Sequence, residues 1–94
     1  MKGKLMKAAN GFYSYEIFDG DQNQIFAFAD ILTKQFGFQM VDAPVAGLDN
    51  VYWDATKSNV KITVGWDIWS GAFIMAHCPA GSEYVGKIAV HYEG

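Results

Sequence analysis

The side chains of this sequence that could do nucleophilic, acid–base or metal chemistry are two histidines, one cysteine and ten carboxylates. His77 and Cys78 are adjacent, and His91 lies well away from both. A cysteine nucleophile needs a base within hydrogen-bond reach. Neighbouring residues of a strand point to opposite faces, so His77 is poorly placed to activate Cys78, which reads instead as a small buried thiol. A metal site needs ligand spacing such as C-x-x-C or H-x-x-x-H. His77, Cys78 and His91 offer neither, and no metal or cofactor is expected. Among the carboxylates, Asp54 and Asp67 fall near opposite ends of one hairpin, while Asp49 and Asp67 fall at the same end. A general acid–base pair needs a cleft around it, and the edge of a strand meander provides none. The glycines form neither G-x-x-x-x-G-K nor G-x-G-x-x-G, so nucleotide binding is unsupported. No nucleophile, base and oxyanion donor can be named together, and the chain is read as non-enzymatic.

What remains conspicuous is G-W-D-I-W-S-G at 65–71, which puts two of three tryptophans at a turn. Asp67 in such a turn most often bonds its own backbone. Trp66 shares a face with core residues and is read as completing the core. Trp69 lies in the turn itself and has three readings: a plug folded back over the end of the helix layer, an exposed anchor for a partner, or a stacking surface for a sugar. Trp69 and Asp67 are taken to present a surface.

The elements that hold these residues follow from apolar spacing. F-Y-S-Y-E-I-F (12–18) alternates as a strand, with Tyr13, Tyr15 and Ile17 on one face and Phe12, Ser14, Glu16 and Phe18 on the other. Asp21 and Gln24 have the spacing of a capping box. The stripe Ile25, Phe28, Ala29, Leu32 and Phe36 predicts a helix over 22–36, ended by Gly37. Residues 38–41 are read as a short strand, and D-A-P-V-A-G-L-D-N (42–50) as a connection. Strands at 51–56 and 60–66 pair so that Val51, Trp53 and Ala55 stand opposite Trp66, Val64 and Ile62, with Ser58-Asn59 as the turn. A slip of one residue would carry Asp54 into the core. Residues 72–77 form the next strand, Ala72, Ile74 and Ala76 facing the helices and Phe73, Met75 and His77 facing away. Ser82 is expected to cap a last helix with the stripe Val85, Ile88, Ala89 and Tyr92. Residues 1–10 are either a loose tail or an edge strand.

The expected fold is one α+β domain over 1–94, a two-layer sandwich. Its mostly antiparallel sheet is a three-strand meander plus an N-terminal strand, with two helices on one face. The other face is left open and carries Tyr52, Asp54, Phe73, Met75 and His77, a composition that protein interfaces favour.

Bulk numbers bound the rest. Ninety-four residues make one domain, which buries roughly 60–65% of its unfolded surface. With 51% hydrophobic and 18% charged residues, disorder is excluded. A net charge of −3 with no basic stripe argues against nucleic acid. A single cysteine forbids an intrachain disulfide and fits a reducing compartment. The start lacks an apolar run of signal-peptide length, and no stretch approaches membrane-spanning length, so the expected setting is the cytoplasm.

The segments Y-W-D (52–54), V-G-W-D-I-W-S-G-A-F-I-M-A (64–76) and G-S-E-Y-V-G-K-I-A (81–89) resemble small bacterial immunity-type proteins that neutralise toxin domains. The resemblance covers about residues 50–92. It implies tight inhibition of a protein toxin by an acidic and aromatic surface, with Tyr52, Asp54, Asp67 and Trp69 as contacts. Together with the open sheet face, the expected partner-binding set is Tyr52, Asp54, Asp67, Trp69, Phe73 and Met75. The alternatives are a small-ligand or carbohydrate-binding domain using the tryptophan turn, and a homodimeric accessory domain pairing through its open face.

Overall fold

The computed structural model describes residues 3–93, the side chain of Glu93 excepted. Its elements are β1 (Lys4–Lys7), β2 (Tyr13–Ile17), α1 (Gln24–Phe36), β3 (Gln39–Ala46), β4 (Asn50–Lys57), β5 (Val60–Asp67), β6 (Gly71–Ala76) and α2 (Pro79–Glu93). All six strands form one antiparallel sheet in the order β1-β2-β6-β5-β4-β3. Helix α1 carries the chain from β2 across the sheet to the far edge. The meander β3–β6 then returns strand by strand until β6 lies against β2.

Both helices cover one face, as the apolar spacing requires. Ile25, Phe28 and Leu32 of α1 and Val85, Ile88 and Ala89 of α2 are buried against Tyr15, Ile17, Ala55, Ile62, Val64, Ala72, Ile74 and Ala76. The small residues Ala72 and Ala76 sit on the helix side, where close packing needs them. The expected β4–β5 register holds pair for pair: Val51 with Trp66, Trp53 with Val64, Ala55 with Ile62 and Lys57 with Val60.

The ends of the elements differ from expectation. Helix α1 starts at Gln24 rather than 22, and the capping box does not form. Asp21 Oδ1 instead accepts the Asn23 N–H at 2.9 Å, and the Gln24 side chain donates to Tyr92 Oη at 2.7 Å. Helix α2 starts three residues before Ser82, with Pro79 in its first turn, where a missing N–H costs nothing. Cys78 takes the capping role: its carbonyl accepts from Ser82 N and its Sγ from Gly81 N. Ser82 Oγ is free to accept the Tyr13 N–H.

Residues 42–46 belong to β3, which passes Pro44 through a bulge between Val41 and Val45. Asp42 is left-handed there (φ 56°), and its carbonyl accepts the Trp53 indole N–H at 3.0 Å. Of the first ten residues, Lys4–Lys7 form the edge strand β1 opposite Glu16–Tyr13, while residues 1 and 2 lie outside the described residues. Both sheet edges are blunted against further pairing, β1 by its lysines and β3 by its bulge and proline. No helix among the described residues is long and apolar enough to cross a membrane.

Candidate functional site

The helix-free face of the sheet is built from alternate residues of all six strands. One row runs Glu16, Phe73, Gly65, Tyr52, Val45, and the next runs Ser14, Met75, Thr63, Asp54, Val41. Four expected contacts, Tyr52, Asp54, Phe73 and Met75, therefore share one surface. They differ in availability. Tyr52 is exposed and Met75 half-buried, but Phe73 is buried, its ring 5.9 Å from that of Tyr52. Both rings lie down over Gly65. A Cβ at that position would come within 2.6 Å of Phe73 Cζ and 2.8 Å of Tyr52 Cδ1. Phe73 thus supports Tyr52 more than it presents area of its own.

Beside the aromatic pair lies a polar chain. Thr63 Oγ1 is 2.6 Å from Asp54 Oδ1 and 2.8 Å from His77 Nε2. A carboxylate only accepts, so the single hydroxyl proton of Thr63 goes to Asp54 and the hydroxyl oxygen accepts from His77 Nε2–H. That assigns the neutral ring its Nε2–H tautomer. Lys61 Nζ stands 3.6 Å from Asp54 Oδ2. Burial, then the Lys61 charge, hold the His77 pKa below the usual histidine value, against the opposing pull of Asp54. With the hydroxyl proton committed to Asp54, the chain orders this face; it does not arm Thr63 as a nucleophile. His91 sits a helix's length from His77, roughly 20 Å at 1.5 Å per residue. Among the described residues no group of three or more His, Cys, Asp or Glu side chains could hold a metal ion.

The tryptophan turn lies at one end of this face. Asp67 Oδ1 accepts N–H bonds from Trp69 at 3.0 Å and Ser70 at 2.5 Å, the local backbone bonding expected of it. Gly71 then reverses the chain at φ 72°, with the carbonyls of Ile17 and Phe18 where a Cβ would be, so no other residue fits. Trp66 packs against the core and donates its indole N–H to the Gly20 carbonyl at 3.1 Å. Trp69 does neither. It is 77% exposed, which removes the plug reading. Trp66 is engaged elsewhere, so the stacking alternative is left with Trp69 alone.

Sequence reasoning did not see what surrounds the turn. Three connections meet at this end of the sheet: 18–23 after β2, 47–49 between β3 and β4, and 68–70 between β5 and β6. The Trp66 bond to Gly20 ties the first to the end of β5, from which the third leaves, and Ile68 N–H to the Asp49 carbonyl at 3.1 Å ties the third to the second. Phe18 (63% exposed), Ile68 (53%) and Leu48, which is fully exposed, stand in these connections with Trp69. Glu16 also belongs to this end. Burial, then the charge of Asp67, raise its carboxyl pKa above the usual value, and Lys4 opposite it on β1 offsets part of this. Strand parity had put Glu16 on the correct face, but only the β2–β6 pairing brings it to the aromatic row.

A cleft of about 440 Å³ opens on the same face, lined among others by Met6, Ser14, Glu16, Tyr52, Phe73 and Met75. Comparison of the chain with protein-family models, curated proteins and solved structures returns no match.

Proposed function

We propose that this chain is a non-catalytic, cytoplasmic protein-binding domain, an immunity-type inhibitor that occupies and blocks a toxin or effector protein. The observation that carries the reading is Trp69, held out in solvent by a turn whose backbone is fixed by two bonds to Asp67. A large rigid anchor loses little entropy on docking, and tryptophan is among the residues enriched at binding hot spots. Exposing an indole gives the isolated fold nothing, so a partner accounts for it better than stability does. The toxin-directed part of the reading rests on the resemblance over residues 50–92.

The test is retention of a partner from extracts of the source cells by immobilised chain, wild type against Trp69→Ala. Wild type is expected to hold one protein in stoichiometric amount. The variant should hold it at least about tenfold more weakly, the ordinary cost of a hot-spot truncation, with an unchanged unfolding midpoint. Addition of the chain should abolish the activity of the captured protein. Equal retention by both chains overturns the role of the turn.

The cleft beside Glu16 favours a second reading, a small cationic or aromatic ligand. Saturable binding of such a compound, with Tyr52 and Met75 resonances moving and no protein retained, would select it.

A further inference from the structure

Charge is unevenly distributed along the strands. The end built from the three tied connections carries Glu16, Asp19, Asp21, Asp49 and Asp67, and its base is Lys4 on the edge strand. The opposite end carries Lys7, Lys34, Lys57 and Lys61, at the close of β1, the last turn of α1 and the β4–β5 turn, against Glu83 near the start of α2. The two ion pairs found among the described residues, Lys34–Asp30 and Lys61–Asp54, use none of the five acids. Four exposed large apolar side chains, Phe18, Leu48, Ile68 and Trp69, are interleaved with those acids. Apolar anchors amid carboxylates outside these ion pairs, of which Glu16 alone has a lysine opposite it, fit one kind of partner surface, an apolar pocket rimmed by arginine or lysine. Nucleic acid and anionic membranes are repelled by the same charges.

We infer that the loop end, and not the helix-free sheet face, is the principal docking surface, and that its occupant is a protein presenting basic side chains around an apolar pocket. The inference rests on the protein-binding reading and deepens it. Trp69, Ile68, Phe18 and Leu48 enter the partner's apolar surface, while Asp19 and Asp49 face its basic rim. Asp67 stays committed to the turn.

The probe is a short arginine–leucine peptide, titrated into ¹⁵N-labelled protein at low and at physiological ionic strength, with a glutamate–leucine peptide as control. Shifts are expected to cluster at residues 16–21, 47–50 and 67–71, to weaken with salt, and to be absent with the acidic peptide. The double variant Asp19→Lys/Asp49→Lys should bind about tenfold more weakly, whereas Lys34→Glu at the far end should bind as wild type does. Both variants change exposed side chains, and matching spectra will report their folding. Shifts centred on Tyr52, Thr63 and Met75, no shifts at all, or equal binding by the Asp19/Asp49 variant would overturn the inference. So would concentration-dependent head-to-tail association in sedimentation, because the occupant would then be the lysine end of a second copy. A chain that retains a native partner through its sheet face while ignoring the peptide keeps the protein-binding reading and loses this one. A chain that retains no partner loses the reading itself.

Discussion

At the scale of single residues, the Asp54–Thr63–His77 chain is the best-defined polar feature of the sheet. Thr63→Val keeps the side-chain volume but strands the other two. It should lower stability by about 1 kcal/mol, the net worth of a typical hydrogen bond, read as a drop in the urea midpoint at constant slope. The two shifted acids of this face act in opposite directions with pH. His77 has a folded pKa below its unfolded value of 6.5, so below that value the unfolded chain binds the extra proton and stability falls with pH. His77→Gln should flatten the profile between pH 7 and pH 5. Glu16 has a folded pKa above its unfolded value of 4.5. Its contribution is therefore lost as pH rises through the folded pKa, and Glu16→Gln should stabilise the protein at pH 7 and not at pH 3. Solvent screening keeps this gain under about 0.5 kcal/mol. The site was legible in the sequence where strand alternation applied: Tyr52, Asp54, Phe73 and Met75 fall on one face as parity requires. Whether Trp69 was buried was not legible, because a turn has no periodicity to say which way a side chain points.

At the scale of elements, the connections decide more than the strands do. Asp67→Ala removes both acceptor bonds that hold residues 69 and 70. It should cost about 1 kcal/mol as a lost local cap does, and should broaden the amide resonances of residues 67–71. Partner binding should weaken with it, since a loosened anchor must be ordered on docking. The helices, the meander and its register could be read from apolar spacing because each has one face in the core. The helix starts could not. Asp21–Gln24 has capping spacing, but Tyr92 offers the Gln24 amide a better partner across the helix pair. Ser82 looked like a cap, but Pro79 can begin a helix three residues earlier. The extent of β3 was hidden by Pro44, which ends strands unless a bulge takes it in, and the bulge is bonded through the Asp42 carbonyl to Trp53 of the next strand. Long-range partners of this kind leave no local signal.

At the scale of the whole molecule, the loop end exists only because of the strand order. Residues 18–23, 47–49 and 68–70 are far apart in sequence, and no local pattern announces that they meet. The β2–β6 pairing brings the first to the third, and the return of the meander brings the second. The resulting charge polarity predicts that association with a basic partner is steered, its on-rate falling steeply with ionic strength while dissociation changes little. Stopped-flow mixing at graded salt measures this directly. The same strand order also sets a sequence of events in synthesis. Apart from the edge strand β1, the strand that β2 pairs with is β6, and Ser14 pairs with Met75, sixty-one positions later. Until β6 leaves the ribosome, the first two strands have no place in the sheet. The meander also keeps an uncovered apolar flank until α2 emerges. Non-local closure of this kind is slow and exposes sticky surface. The nascent domain is therefore most vulnerable once β5 has been made and β6, the strand that joins its two halves, is still to come.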